Sequence, residues 1–251
     1  MDSDPLAGLT GQSPLDAAGQ PRFPYVVVEG PVGVGKTALA EALARRWGVP
    51  FYAEDGGATP AAAAWLPGMG DAAATMSHPS TFLREGVSDG PMAAQLAYLL
   101  YRDERSKAIG LSEHGGVPGE SALITDFLPE KGAVFAPLNL SVPALELYRQ
   151  LEARLSTATR APDLVIFLQA SVETLFDRIQ RRAHPFEWQH SESYLRAMNE
   201  AYDSFFYHYE RAPVLSVNTD NLALPDDAGD LDLLLAQIET MKGRRVSFVK
   251  G

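Results

Sequence analysis

Eight residues constrain this chain more than any others: Gly30-Pro31-Val32-Gly33-Val34-Gly35-Lys36-Thr37, a complete G-x-x-x-x-G-K-[ST] pattern. Its setting fits the pattern. The run FPYVVVEG before it is apolar and β-branched without alternation, as in a strand buried on both faces. TALAEALARRW after it has helical spacing, with Leu39, Leu43 and Trp47 on one face. A strand–loop–helix unit of this kind curls the backbone around a phosphate at Gly30, Val32, Gly33, Val34 and Gly35, and adds the positive end of a helix dipole. Lys36 is placed to reach the β- and γ-phosphates and the Thr37 hydroxyl to hold Mg²⁺. The implied ligand is ATP or GTP. The loop by itself does not separate kinases from switches, ATPases or motors.

The rest of the chain supplies a scaffold for such a loop. Residues 1–22, rich in Gly, Pro, Ser and Asp, read as a flexible tail, and 23–251 as a single domain. Further strands are predicted over 50–54, 122–127, 162–170 and 213–219. Helices are predicted over 91–109, within LSVPALELYRQLEARLS, over SVETLFDRIQRR, over 191–210 and over 230–242. Ser171 is the expected N-cap of the third of these, with Glu173 in its first turn. Alternating strands and helices predict an α/β fold, the P-loop three-layer sandwich, with a five-stranded parallel sheet and helices on both faces.

Composition narrows the function. Of 251 residues, 21 are Lys or Arg and 32 are Asp or Glu, a formal charge of −11 that argues against nucleic acid or an anionic membrane as partner. The chain has no cysteine, so disulfides, thiolate zinc sites and a cysteine nucleophile are excluded. Its five histidines show no metal-binding spacing. No apolar run approaches the length of a membrane span, and the N-terminus lacks the features of a signal peptide. A cytoplasmic location is expected.

Four further segments, in order, carry a resemblance. FYAEDGGATP places Glu54 at a strand end, with Asp55 beside it. QLAYLLYR sets Gln95 and Arg102 nearly two helical turns apart on one face. On spacing alone these are two polar positions of an amphipathic helix. ITDFLPEKGAVFA opens on Asp126 and closes on Phe135-Ala136, with Lys131 between. DRIQRRAHPFE clusters Arg178, Arg182 and Glu187 in an otherwise acidic protein. Over about residues 24–220 this order resembles the deoxyribonucleoside kinases, in particular their bacterial deoxyadenosine/deoxyguanosine kinase-like branch.

The resemblance implies transfer of the ATP γ-phosphoryl group, with Mg²⁺, to the 5′-hydroxyl of a deoxynucleoside. It implies Glu54 as the proton acceptor, Gln95 and Arg102 at the nucleobase, and Arg178 and Arg182 in an arginine-bearing lid. Glu187 is implied at the sugar 3′-hydroxyl. Asp126 either supports Mg²⁺ or orients the groups around the hydroxyl, and Phe135 packs either on the base or in the core. Two departures stand out: Phe127 follows Asp126 where many members carry arginine, and His184 occupies a usual arginine position of the lid. Residues 55–90 match worst and leave the base unassigned, with a purine favoured by resemblance. A homodimer is implied as well. The alternatives are a thymidylate-like nucleoside monophosphate kinase, with Arg84 or Arg105 for the acceptor's phosphate, and a nucleotide-binding regulatory protein without phosphoryl transfer.

Overall fold

The computed structural model describes residues 22–54, 90–111, 122–182 and 191–250. Chain order runs β1 (Tyr25–Glu29), α1 (Lys36–Trp47), β2 (Phe51–Tyr52), α2 (Gly90–Ala108), β3 (Leu123–Thr125) and a 3₁₀ turn (Pro129–Lys131). It continues through α3 (Gly132–Asn139), α4 (Val142–Leu155), β4 (Leu164–Gln169), α5 (Val172–Arg182), α6 (Glu192–His208), β5 (Val214–Asn218), α7 (Ala228–Thr240) and β6 (Arg245–Phe248).

The strands form one parallel sheet in the order β2-β3-β1-β4-β5-β6. β1 lies between β3 and β4, with Val26 opposite both Ile124 and Leu164. All five residues of β1 are buried, as its unbroken apolar run requires in a sheet covered on both faces. Leu39, Leu43 and Trp47 are buried on α1, which packs on β1, β2 and β3. α6 is fixed to the sheet by aromatic packing: Phe167 of β4 stacks on Phe206 with centroids 4.2 Å apart and on Tyr202 at 6.2 Å. Each such pair adds about 0.5–1.5 kcal/mol beyond the burial itself. The Ser171 hydroxyl caps α5 by accepting from the Thr174 amide at 3.2 Å, as its sequence position predicts.

The sheet has six strands, not five. β6 pairs in parallel with β5, Val214 opposite Arg245 and Val217 opposite Phe248. It was not foreseen because Arg-Val-Ser-Phe is a short edge strand with only partial burial. Its place is set by backbone pairing and by the Arg245 guanidinium, which donates to the carbonyls of Phe206 and Tyr209 at 2.6 and 2.7 Å. The 3₁₀ turn and α3 are likewise additions to the sequence reading. Arg22, the first described residue, donates to the Glu239 and Met241 carbonyls beside the end of α7.

Two loop glycines are required by space. A Cβ on Gly30 would lie 2.4 Å from the Leu168 carbonyl oxygen, which is backbone of β4 and cannot yield. Gly33 turns at φ +80°, and a Cβ there would lie 2.8 Å from the Ile179 side chain of α5. Gly30→Ala is therefore expected to destabilise the fold by about 2–3 kcal/mol through overpacking, read as a lower urea midpoint.

Candidate active site

Because the strands are parallel, their C-terminal ends share one edge of the sheet, where α/β folds place ligands. β1 ends at Glu29 and runs into the glycine loop, Glu54 follows β2 by two residues, and Asp126 follows β3 directly. α2 brings Arg102 to the same region and carries Gln95, also buried, seven residues earlier, and the 3₁₀ turn brings Lys131. Five residues singled out from sequence, Lys36, Thr37, Glu54, Asp126 and Arg102, thus fall into one network.

Asp126 is the joint between loop and strand. Its Oδ2 accepts from the Thr37 hydroxyl at 2.6 Å and its Oδ1 from the Glu54 backbone amide at 2.7 Å. With both oxygens engaged, Asp126 orients Thr37 and fixes where Glu54 leaves β2. Burial raises the Asp126 carboxyl above its ordinary range, despite the Thr37 bond.

Glu54 lies between two cations. Its Oε2 accepts from Lys131 Nζ at 2.6 Å, while its Oε1 faces Arg102 Nη1 at 3.8 Å. Burial alone would raise this carboxyl, but Lys131 and Arg102 outweigh burial and hold it below its ordinary range. Lys131 is in turn shared with Glu29, at 3.6 Å from its Oε1. Burial disfavours the Lys131 ammonium, yet the two carboxylates hold its pKa above the usual lysine range. Glu29, 1% exposed, accepts from the Gly30 amide at 2.9 Å, the Leu128 amide at 3.1 Å and the Tyr202 hydroxyl at 3.1 Å.

Lys36 folds back on its own loop, donating to the carbonyls of Gly30 at 2.8 Å and Pro31 at 3.1 Å. Burial, reinforced by the nearby Lys131 charge, lowers its pKa to about 8. Arg102 sits over the Tyr98 ring at 5.7 Å, and its buried Nε and Nη2 have no hydrogen-bond partner among the described residues.

Arg178 lies apart from this network. Its guanidinium donates to the Val34 carbonyl at 3.3 Å, the Thr219 hydroxyl at 2.9 Å and the Thr219 carbonyl at 2.7 Å, tying the loop to the turn after β5. Arg182 is the last residue of α5, and its side chain lies outside the described residues. Glu187, His184 and the lid around them, with Asp55 and Arg84, also lie outside. Phe135 is buried on α3, edge-on to Tyr202 at 6.0 Å. Glu29 and Lys131 are functional candidates that received no role from sequence. Glu29 had a legible signal: a carboxylate ending a strand buried on both faces must find a partner. Lys131 was visible only as part of the motif opened by Asp126, and its direction was not, because the 3₁₀ turn that aims it was not predicted.

Residues 120–241 match the family model described as deoxynucleoside kinase. The chain is 25% identical over 222 residues to a deoxyguanosine kinase of Bacillus subtilis, an alignment covering 87% of this chain and 97% of the relative. It is 25% identical over 231 residues to a deoxyadenosine/deoxycytidine kinase of the same organism, covering 88% and 94%. The fold matches a structure of deoxyadenosine kinase from M. mycoides with bound dATP, with TM-score 0.61 and 17% identity, covering 86% of this chain and all of that one.

The Lys36 geometry sets a pH dependence. The protonated ammonium is the form that attracts a triphosphate. Affinity for ATP in the absence of metal should be constant below about pH 8, then fall about tenfold per pH unit above it. Titration with a fluorescent ATP analogue between pH 6.5 and 9.5 checks this, and Lys36→Gln should flatten the profile.

Proposed function

We propose that this chain is a deoxynucleoside kinase that transfers the γ-phosphoryl group of ATP to the 5′-hydroxyl of a deoxynucleoside, with purines preferred. The observation that carries the mechanism is Glu54: a carboxylate held ionised at the sheet edge, Oε2 occupied by Lys131, and tied through Asp126 to the phosphate loop.

The attacking oxygen is that of the 5′-hydroxyl. As its bond to the γ-phosphorus forms, its proton passes to Glu54 Oε1 and the bond from phosphorus to the ADP oxygen breaks. The loop amides and Lys36 hold the donor phosphates, Lys36 exchanging the Gly30 and Pro31 carbonyls for phosphate oxygens. The hard oxygen of Thr37, oriented by Asp126, suits Mg²⁺. When bound there, Mg²⁺ would neutralise charge on the transferring phosphate. Arg178 and Arg182 are assigned to the lid that stabilises the equatorial oxygens, and Glu187 to the sugar 3′-hydroxyl.

Arg102 supports the purine preference. Its buried, unpartnered Nε and Nη2 form a donor fork of the type that reads the O6 and N7 acceptors of guanine, and Gln95 on the same helix offers an amide for an adenine edge. Phe135 is assigned to the wall of the base pocket. The monophosphate kinase alternative needs a cation for the acceptor's own phosphate. Arg105, one candidate for it, donates its Nε to the Ala53 carbonyl at 3.3 Å.

A homodimer fits the exposed Leu100 on α2 and Val142 and Leu147 on α4. Among the described residues no helix is long and apolar enough to cross a membrane. We place the protein in the cytoplasm, with residues 23–251 as one kinase domain and no nucleic-acid partner.

Incubation with Mg-ATP and each deoxynucleoside or its 5′-monophosphate, with chromatographic separation of products, tests the reaction. Monophosphates should form, fastest from deoxyguanosine or deoxyadenosine. Diphosphates formed only from monophosphates would overturn the assignment. Glu54→Gln should lower kcat by about 10²–10⁴-fold with ATP affinity unchanged, measured by steady-state kinetics and nucleotide titration.

A further inference from the structure

We infer that Lys131 is a positioning residue for phosphoryl transfer: anchored by Glu29, its ammonium occupies Glu54 Oε2 and leaves Oε1 as the oxygen that meets the acceptor hydroxyl. The inference rests on Glu54 being the proton acceptor. Lys131 is itself 6% exposed, so the side chain has no bulk water to retreat to. It is 2.6 Å from Glu54 Oε2 and 3.6 Å from Glu29 Oε1.

Glu29 is the fixed end of this chain of contacts. Three donors on three separate segments hold it: the Gly30 amide of the phosphate loop, the Leu128 amide before the 3₁₀ turn and the Tyr202 hydroxyl of α6. A carboxylate so bound cannot follow Lys131, so Lys131 is drawn to a place that Glu29 sets. That place is beside Glu54 Oε2, while Arg102 faces Oε1. The position directly after Asp126 gives no cation, since Phe127 is fully buried in the core. The 3₁₀ turn over Pro129–Lys131 supplies it one turn later.

The groups facing Glu54 are Lys131 from that turn, Arg102 and Tyr98 from α2, Lys36 from α1, Asp126 beyond β3 and Tyr202 from α6. Those facing Lys131 are Glu29, Glu54 and Arg102, with Lys36 and Asp126 close by. Lys131 is the cation in hydrogen-bond contact with Glu54, while Arg102 is further away. Removing Lys131 leaves buried Glu29 and half-buried Glu54 without the cation that bonds Glu54, with only Arg102 at 3.8 Å and the more remote Lys36 facing Glu54, so Glu54 should hold its proton to higher pH than the native residue does.

The test is Lys131→Met beside Lys131→Arg. It reads kcat, the KM for the deoxynucleoside and ATP affinity from pH 5 to 9. The Glu54 carboxyl is titrated by ¹³C NMR in the substrate-free protein. Lys131→Met should lower kcat about 100-fold at neutral pH with KM and ATP affinity little changed. At neutral pH the loss reflects the mispositioned carboxylate, and it should deepen below about pH 6, because the acid limb and the Glu54 resonance both move up by about one pH unit or more. Lys131→Arg should restore most of the rate.

An equal loss at every pH with an unmoved Glu54 titration, or native kcat in Lys131→Met, would overturn the inference. If Lys131→Met does not fold, Glu29→Gln with Lys131→Met removes one charge of each sign and gives the same readings. A native chain that transfers no phosphoryl group, while the Glu54 titration still depends on Lys131, would overturn the reaction assigned above and leave the hold of Lys131 on Glu54 supported.

Discussion

A lysine ammonium shared by two carboxylates inside a protein holds the site together. Taking any of these charges out of water costs several kcal/mol unless it is paired and hydrogen-bonded. The Glu29–Lys131–Glu54 arrangement meets that demand by drawing on the end of β1, the turn after β3 and the residues after β2 at once. None of these segments can shift without stranding a charge. The buried ions add little net stability. They fix the relative positions of three strand ends, on which the placement of a base beside a phosphate loop depends.

The same demand organises the rest of the region. Asp126 joins the Thr37 hydroxyl to the Glu54 amide, so helix α1 and strand β2 are registered through one carboxylate. Tyr202 reaches Glu29 from α6 while its ring stacks on Phe167, so the aromatic packing of the sheet face and the electrostatics of the site share a residue. An overall charge of −11 coexists with this local concentration of cations because Arg102 and Lys131 are buried beside carboxylates, while Lys36 is held by the Gly30 and Pro31 carbonyls.

The sequence carried much of this. The P-loop pattern and its flanking strand and helix were legible because each step depends on neighbours in the chain: glycines where backbone approaches backbone, Leu39 and Leu43 at helical spacing. Glu54 and Asp126 were legible as strand-end acids once the order of motifs was seen. What stayed hidden depends on contacts between distant segments. β6 is held by pairing to β5 and by Arg245 on α6 carbonyls, and four residues with partial burial carry no periodicity. Lys131 is aimed by a 3₁₀ turn that begins at a proline, and its two partners lie 77 and 102 residues earlier (131 − 54 and 131 − 29). The hydrogen bonds of Arg178 to Val34 of the phosphate loop and to Thr219 depend on how the turn after β5 meets that loop, which no local pattern encodes.

The posture of Lys36 bears on what it takes to fill the loop. By donating to the Gly30 and Pro31 carbonyls, the ammonium ties the loop to itself and holds the curve of the backbone. Capture of a triphosphate is then an exchange of ligands around one cation, not the ordering of a slack segment. The conformational entropy of the loop is already spent when the fold forms, and little of the free energy of nucleotide contact is drawn off to shape the cradle.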